Sequence, residues 1–520
     1  MREKSERAKF KGDYLYSAVL FLVLGIILLP NFLYSINPDG FSYFSIAEKY
    51  LAGDFANAVN GYWGPLFSWL LLPFLAVGIS APMAAKVLGL LVGLIFIWLA
   101  DLYYMKLNMN RKIKKYLLLV TSICTLYFAY NGVTSDFLFA FFLLLYLNIM
   151  LNLRENKKLI YAIFSGLVGG LLYLTKAYGL PFFIVHYFVS IILFIMTGTD
   201  RSEKRKLAWC YMAGMLVFLL LTVPWILTIS AKYGHVTIGS SGKFNHAIVG
   251  PETEDFPMHL RGLLPPPYNS ATSVWEDISY TKMVDWSATS SVENFLYQVL
   301  RVVKNIAWIL IILSQYSFLS IFILLGLILY LYKKGRAFVL SRKFYLLLSM
   351  LILFSGYALI LVVIRYLWVC AILLLGISAS LLHYLFKEYK ISKAVQIILM
   401  VVFLISFMIY PAHKLMSSSR GESHLVRLNR YLQEFQVTGR VASNSKWHDC
   451  VWLAYFNDWQ YYGEQGVVSD QEYLEQLKRY NIDYYIHWKG EDELPFTEGA
   501  YKEITSDKYS EFRIYALGRE

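Results

Sequence analysis

Charged residues are scarce in this 520-residue chain. Asp, Glu, Lys and Arg make up 16% of it, against 57% hydrophobic residues, whereas a soluble domain carries about 25% charged and about 45 to 50% apolar residues. The chain therefore has too few polar side chains to cover a surface that faces water. This composition excludes a disordered chain, a collagen-like fibre and a disulfide-built secreted domain, and it predicts an integral membrane protein.

Cysteine is also scarce, with four residues in the chain. Acidic residues are fewer than basic ones. The four cysteines lie far apart, so they offer neither a metal-ligand spacing nor a disulfide framework. Lys and Arg number 48 and Asp and Glu 36, which gives a net charge of +12. The basic residues form short clusters between apolar runs, which is the pattern that orients a membrane protein and not one that binds nucleic acid.

The basic clusters predict how the chain crosses the membrane. Residues 1–13 form a basic, cytoplasmic N-terminus, and the apolar run from Tyr14 to Ile36 is long enough to span. The run from Leu66 to Ser80 is shorter and contains Pro73, so we expect a juxtamembrane or re-entrant helix there. With the basic clusters facing the cytoplasm, eleven crossings are predicted, near residues 14–36, 82–107, 116–130, 136–153, 159–175, 180–197, 207–229, 315–332, 344–364, 367–386 and 394–411.

An odd number of crossings places the C-terminus outside a plasma (inner) membrane. The transmembrane domain then covers residues 14–411 and carries two polar outer loops, a first loop at 37–65 and a long loop at 230–298. The tail, 412–520, alternates amphipathic helices with strand-like runs, which predicts a small soluble extracytoplasmic α/β domain. No internal repeat is evident, so an inverted-repeat transporter is not favoured.

Two acidic residues stand at the outer ends of apolar runs. Asp39 follows the first span between Pro38 and Gly40, and Asp136 opens the fourth span. Each could simply cap the helix that follows. Two carboxylates near one pocket could instead divide the roles of base and orienting group, or ligate a divalent cation such as Mg²⁺ or Mn²⁺. The spacing alone does not choose between these roles.

Three basic residues lie at the outer ends of predicted spans. Lys86 stands near the start of the second span, Lys176 at the end of the fifth and Arg365 at the end of the ninth. Basic residues are uncommon on the outer side, and an ionisable group in the apolar zone costs about 3 kcal/mol on insertion scales. Each could extend to lipid headgroups. The three together indicate a site for an anionic lipid headgroup, such as a phosphate.

The long loop contains residues that suit a sugar. Trp275 stands beside Glu276 and Asp277; an aromatic ring can stack on the apolar face of a sugar whose hydroxyls donate to carboxylates. The alternative is a packed loop with a satisfied acid pair. His246 and His259 lie in the same loop, but the spacing of its histidines and acids fits no strong metal-ligand pattern.

Four short segments carry a family resemblance. They contain Asp39, Tyr43, Ala47, Gly53 and Asp54 ahead of Gly64, Pro65 and Leu66; Asp136; the run from Gly170 to Lys176; and Arg365, Tyr366 and Leu367. In this order, and on the predicted outer face, they resemble the polyprenyl-phosphate-sugar glycosyltransferases of the GT-C membrane fold, the group of protein O-mannosyltransferases and lipid A aminoarabinose transferases. The resemblance extends to about residue 370 and implies a polytopic α-helical, GT-C-like fold.

The resemblance also implies a reaction. A sugar would pass from a polyprenyl-phosphate donor to an acceptor hydroxyl at the outer face, with inversion and no enzyme-bound intermediate. Asp39 is then the general base, supported by Asp136. Donor phosphate binding falls to the cations and one tyrosine, namely Lys86, Lys176, Arg365 and Tyr366. Further substrate contacts are expected at Tyr43, Glu48, His259, Trp275, Glu276 and Asp277.

The expected partners are the lipid bilayer, a lipid-linked sugar donor and a glycan, lipid or protein acceptor. Nucleic acid is not among them, and the divalent cation named above, Mg²⁺ or Mn²⁺, stays open as a cofactor. Three other function classes fit the composition. One is a transporter or flippase for a lipid-linked sugar, and another is a lipid-linked oligosaccharide ligase or polymerase. The third is a non-catalytic membrane anchor for the α/β tail, which leaves the acids and cations at the outer face unexplained. A transporter is expected to carry ionisable residues along a route between the leaflets. The candidate residues gather at one face instead, which favours sugar transfer.

Overall fold

The computed structural model describes residues 2–197, 200–253, 255–335, 341–418, 422–490, 494–497, 499–505 and 511–518. Its α-helices are α1 (Arg2–Phe32), α2 (Pro38–Leu51), α3 (Phe55–Ala58), α4 (Pro65–Ala76), α5 (Ala81–Met105), α6 (Arg111–Tyr130), α7 (Asp136–Asn156), α8 (Leu159–Thr175), α9 (Gly179–Thr197), α10 (Arg201–Tyr233), α11 (Ser241–Ala247), α12 (Pro257–Leu260), α13 (Val292–Tyr316), α14 (Ser320–Lys334), α15 (Arg342–Leu359), α16 (Trp368–Glu388), α17 (Lys393–Ser418), α18 (Glu422–Leu432), α19 (Trp447–Phe456) and α20 (Asp470–Arg479). Three 3-10 helices lie at Val274–Tyr280, Ile364–Leu367 and Gln433–Phe435.

Ten helices in the described part of the chain are long and apolar enough to cross a membrane. They are Tyr14–Phe32, Ala81–Met105, Arg111–Tyr130, Asp136–Asn156, Gly179–Met196, Arg201–Tyr233, Val292–Tyr316, Arg342–Leu359, Ile364–Glu388 and Lys393–Ser417. The protein is therefore a multi-pass membrane protein, and the predicted polytopic helical fold is confirmed.

Two shorter apolar helices complete the bundle. Helix α8, predicted as the fifth span, packs closely against α10: a Cβ added to Gly166 would lie 1.9 Å from the backbone oxygen of Gly214. Helix α4 has 12 residues and contains Pro73. At 1.5 Å per residue it is too short to cross a bilayer, as expected for a juxtamembrane segment.

The structure differs from the predicted boundaries after the long loop. A span was predicted near 315–332, but α13 already begins at Val292 and ends at Tyr316, and α14 follows from Ser320. The first half of α13 carries Glu293 and Arg301 among its apolar residues. Such a mixed composition resembles a loop in a hydropathy reading, although it folds as the start of a helix.

The C-terminal domain contains a five-stranded sheet, and the small α/β domain predicted there is confirmed. The strands are β1 (Arg440–Ser443), β2 (Gln460–Glu464), β3 (Tyr484–Trp488), β4 (Lys502–Glu503) and β5 (Phe512–Ala516), in the spatial order β2-β1-β3-β5-β4. Strands β2 and β3 both run parallel to β1, and β5 runs antiparallel to β3. Helices α19 and α20 provide the two crossovers between the parallel strands.

The long loop ties this domain to the helical bundle. The backbone amide of Leu264 donates to the Tyr462 carbonyl at 2.7 Å, and that of Tyr461 donates to Thr272 at 2.8 Å. The loop thereby covers β2, an edge strand that would otherwise expose unpaired backbone groups. Trp452 of α19 packs against Tyr34, which follows α1. These contacts seat the domain over the end of the bundle that carries Asp39.

Candidate functional site

Helix α2 places Asp39 directly beyond the first span. Pro38 occupies the first helical position, where its missing N–H is not needed. Asp39 lies in the first turn and is 8% exposed. The exposed backbone N–H groups of a helix N-terminus favour a negative charge, so this position stabilises the carboxylate.

Arg365 joins the two predicted acids. It lies on the 3-10 turn between α15 and α16, where the Tyr316 hydroxyl donates to the carbonyl of Ile364 at 2.6 Å and fixes the turn. The Arg365 Nη2 donates to Asp39 Oδ2 at 2.7 Å, and its Nε lies 2.8 Å from Asp136 Oδ2. One guanidinium therefore holds two carboxylates from separate helices in a fixed relation.

Lys176 completes this group from the end of α8. The helix stops at Thr175 because Lys176 adopts an extended backbone conformation. Its Nζ lies 2.7 Å from Asp136 Oδ1 and 3.3 Å from the centre of the Tyr366 ring. We call Asp39, Asp136, Lys176 and Arg365 the four-charge cluster. The sequence predicted all four as site residues, and the structure brings them together.

The four-charge cluster has no net charge but keeps free donor capacity. A guanidinium carries five N–H donors, and the two carboxylates engage Nη2 and Nε of Arg365. Within the residues that the structure describes, neither of these contacts uses Nη1, which can donate to a further acceptor. The side chains of Arg365 and Lys176 are 28% and 22% exposed, so an anion entering from the cavity can reach both cations.

These side chains line a large open cavity. Its volume is about 680 Å³, within the range of small-molecule sites. Residues of α2, the long loop, the 3-10 turn and the C-terminal domain all contribute to its wall. The cavity therefore lies between the helical bundle and the C-terminal domain, and it has room for a sugar together with an acceptor group.

Trp275 and Tyr43 lie in this wall beside the cluster. The Trp275 indole N–H donates to Asp39 Oδ1 at 3.1 Å, so both oxygens of that carboxylate have donors. The Tyr43 hydroxyl donates to Ser135 Oγ at 2.8 Å. Burial raises the pKa of Tyr43, so the hydroxyl stays protonated. Trp275 thus orients Asp39, while Tyr43 braces the residue that precedes Asp136.

Glu276 and Asp277 turn away from the cavity and anchor the long loop. Glu276 forms an ion pair with Lys49 at 2.6 Å and accepts a hydrogen bond from Ser45 at 2.7 Å. Asp277 is fully buried and accepts a 2.7 Å hydrogen bond from the Tyr233 hydroxyl. Burial raises the pKa of Asp277, and Lys232 acts against that change. In the structure, Glu276 and Asp277 therefore form the satisfied acid pair of a packed loop, which was the alternative to sugar binding.

Lys86 and Glu48 lie outside this cavity. Lys86 is fully buried, and its amino group donates to the carbonyl of Ser35 at 2.9 Å and to that of Gly132 at 3.4 Å. It thereby ties the segment after α1 to the α6–α7 loop. Glu48 accepts a hydrogen bond from the Tyr455 hydroxyl of α19. The structure brings neither residue to the four-charge cluster.

His259 reaches the cavity together with residues that the sequence analysis missed. Its Nδ1 lies 2.9 Å from Glu464, and its Nε2 accepts from the Trp447 indole at 3.2 Å. Trp447, His448 and Trp452 of the C-terminal domain also line the cavity. The sequence pattern of a short strand, a polar turn and a helix could have identified this segment as part of the site, because ligands bind at the carboxyl ends of such strands.

The residues at the cluster do not fit a metal ion. Within the residues that the structure describes, no group of three or more His, Cys, Asp or Glu side chains could hold one. The oxygens of Asp39 and Asp136 are bound by Arg365, Lys176 and Trp275. A divalent cation would have to displace those donors.

Gly64 permits the close packing that positions Lys176. A Cβ at this position would lie 2.4 Å from the backbone oxygen of Thr175, the residue before Lys176. We expect Gly64→Ala to push α4 and the end of α8 apart and to lower the free energy of unfolding by about 1 to 3 kcal/mol. Thermal unfolding in nanodiscs measures this effect.

Gly326→Ala is the matched control, because its added Cβ would meet only a Leu381 side chain at 3.4 Å. This variant should unfold like the wild type. Equal stability of the two alanine variants would contradict the assigned role of Gly64.

Comparisons with known proteins bear on the fold. No protein-family model matches the chain, and no curated protein sequence matches it. Among solved structures, the chain is similar to apo ArnT from Cupriavidus metallidurans, with a TM-score of 0.54 and 13% sequence identity over 96% of this chain and 97% of that one. It is similar to the same protein bound to undecaprenyl phosphate, with a TM-score of 0.51 and 12% identity over the same shares.

A second protein shares the architecture. The oligosaccharyltransferase of Archaeoglobus fulgidus, in a complex with zinc and sulfate, matches with a TM-score of 0.53 and 12% identity over 90% of this chain and 67% of that one. Both neighbours have the GT-C fold. The predicted fold class is therefore confirmed: this chain is a membrane protein with the GT-C fold and a small C-terminal α/β domain.

Proposed function

We propose that the protein is a membrane glycosyltransferase that moves a sugar from a polyprenyl-phosphate donor to an acceptor hydroxyl. One observation carries this proposal: two carboxylates and two cations meet at one end of the helical bundle and line one cavity. A lipid-linked sugar cannot leave the membrane, so its enzyme needs a cavity at the bilayer surface. Undecaprenyl phosphate bound to one structural neighbour supports the choice of donor.

The reaction we propose is a direct displacement. The acceptor oxygen forms a bond to the anomeric carbon, and the bond from that carbon to the phosphate oxygen breaks. The electron pair of the broken bond leaves with polyprenyl phosphate, and the hydroxyl proton passes to Asp39. Attack from the face opposite the phosphate inverts the anomeric centre.

The charges of the four-charge cluster link the departure of the phosphate to the transfer of the proton to Asp39. The leaving phosphate gains a negative charge, which donors already in place can stabilise. The side chains of Arg365 and Lys176, which are partly exposed and line the cavity, can take this role. When Asp39 accepts the proton, its ion pair with Arg365 weakens. The guanidinium is thereby released toward the phosphate at the moment when the phosphate becomes more negative.

Asp136 and the aromatic residues have supporting roles in this scheme. Asp136 holds Arg365 and Lys176 in place through its two oxygens, while Tyr366 lies under the Lys176 amino group. No step passes through a metal ion, because the residues present do not fit one. By the positive-inside rule, we place the protein in the plasma (inner) membrane with a cytoplasmic N-terminus and an extracytoplasmic C-terminal domain.

The test measures release of polyprenyl phosphate. Purified protein in nanodiscs is given a panel of polyprenyl-phosphate sugars, with cell-envelope extract as acceptor. We expect release with at least one donor, which would also identify the sugar. Movement of the intact donor between leaflets, with no release from any donor, would instead support a transporter. Transfer of a preassembled oligosaccharide, with no transfer of single sugars, would support a ligase.

A further inference from the structure

The C-terminal domain presents its most favourable ligand-binding edge to the cavity. Strands β2 and β3 lie on opposite sides of β1, so the order of crossovers reverses at β1. In α/β sheets, ligands bind at the carboxyl ends of the strands at such a reversal. The segment after β1 leads into α19 at Trp447, and the first residues of α19 line the cavity.

His448 is the residue of this edge that is best placed for a ligand. It is exposed and lines the cavity, and its ring packs against Trp447 with 4.2 Å between ring centres. Its neighbour His259 is bound on both ring nitrogens, to Glu464 and Trp447. Partial desolvation within the cavity and then His259 lower the pKa of His448, while Asp39 acts in the opposite direction. The imidazole is therefore neutral near pH 7 and can both donate and accept a hydrogen bond.

The sugar donor and the acceptor must bind to different walls of the cavity. The phosphate and lipid chain of the donor must stay with the helical bundle, where Lys176 and Arg365 lie. The acceptor must approach the anomeric carbon from the face opposite the phosphate. The C-terminal domain supplies a wall of the cavity that none of the candidate membrane spans forms, and His448 in this wall lines the same cavity as Asp39.

We infer that His448 binds the acceptor by a hydrogen bond to one of its hydroxyl groups, so that the C-terminal domain forms the acceptor half of the active site. This inference rests on the proposed function and extends it. Asp39 remains the group that takes the proton. His448 positions the hydroxyl-bearing group beside Asp39, and the indoles of Trp447 and Trp452 provide the apolar surface that the ring of a sugar-like acceptor needs.

The experiment separates acceptor binding from donor binding. His448→Leu is compared with the wild type in nanodiscs, with a dilution series of cell-envelope extract as acceptor. Loss of one neutral hydrogen bond is worth about 1 kcal/mol, so the half-saturating amount of extract should rise about five- to tenfold. Turnover at saturation and the affinity for undecaprenyl phosphate should stay within about twofold, and His448→Gln, which keeps hydrogen-bonding groups, should recover part of the loss.

A matched control is His235→Leu, because His235 is exposed just after α10 and its ring forms a local hydrogen bond with the Tyr233 carbonyl. This variant should behave like the wild type. A wild-type acceptor dependence in His448→Leu would overturn the inference while leaving the proposed function intact, and so would a parallel loss of undecaprenyl phosphate binding. If the wild type releases no polyprenyl phosphate with any donor, the proposed function fails and this inference fails with it.

Discussion

Replacing Asp39 with asparagine is expected to lower the rate of sugar transfer by more than about 100-fold, the scale of general-base catalysis. An amide of the same size cannot take the proton of the acceptor hydroxyl. Arg365 keeps its contact with Asp136 in this variant, so the affinity for undecaprenyl phosphate should stay close to that of the wild type. Release of polyprenyl phosphate in nanodiscs measures the rate, and equilibrium binding measures the affinity.

Asp54→Asn serves as the control for this substitution. Asp54 lies in the same loop, where its side chain caps α3 by accepting from the Asn57 amide, so only a small loss of stability is expected. Asp39→Asn with more than a tenth of wild-type turnover would remove Asp39 as the base. A large loss of undecaprenyl phosphate binding would instead assign Asp39 to the donor site.

The four-charge cluster was predictable because each member stands at the end of an apolar run. Hydropathy fixes where a run ends, and the basic clusters fix which side of the membrane that end faces. Asp39, Asp136, Lys176 and Arg365 were therefore expected on one face. Their ion pairs were not predicted, because contacts between α2, α7, α8 and the turn before α16 depend on how the helices pack.

Lys86 and Glu276 show what the sequence does not reveal. Lys86 stands at the end of a span like Lys176, yet its partners include backbone carbonyls of Ser35 and Gly132. Every residue has a backbone carbonyl, so the sequence does not show which carbonyls will bind a lysine. Glu276 stands beside an aromatic residue, as a sugar-binding acid would, but Lys49 and Ser45 bind it from α2. A satisfied acid and a free one have the same sequence context.

The contribution of the C-terminal domain was missed for a different reason. The strands and helices of the tail were recognisable from their alternation, but the orientation of the domain depends on the long loop along β2 and on Trp452 packing against Tyr34. These contacts join segments far apart in the chain. They orient the start of α19 toward the cavity, and no local sequence pattern predicts that orientation.

Removal of the Arg365 guanidinium should affect both stability and donor binding. In Arg365→Ala, Asp39 and Asp136 lose their shared partner, and these two largely buried carboxylates keep Trp275 and Lys176, respectively, as donors. Breaking such a pair costs about 3 kcal/mol or more, so the melting temperature in nanodiscs should fall clearly. Binding of undecaprenyl phosphate should weaken by at least about tenfold, since one of the two proposed phosphate donors is lost.

A double variant separates these two effects. In Arg365→Ala with Asp39→Asn, one of the uncompensated charges is gone, so much of the lost stability should return while lipid binding and transfer stay low. Lys304→Ala, at an exposed position of α13, controls for loss of a positive charge and should leave both properties unchanged. Equal melting temperatures of the single and double variants would mean that Arg365 does not hold the carboxylates together. Wild-type lipid binding in Arg365→Ala would leave Lys176 as the phosphate ligand, and Arg365 would then act on the reaction only by fixing the positions of Asp39 and Asp136.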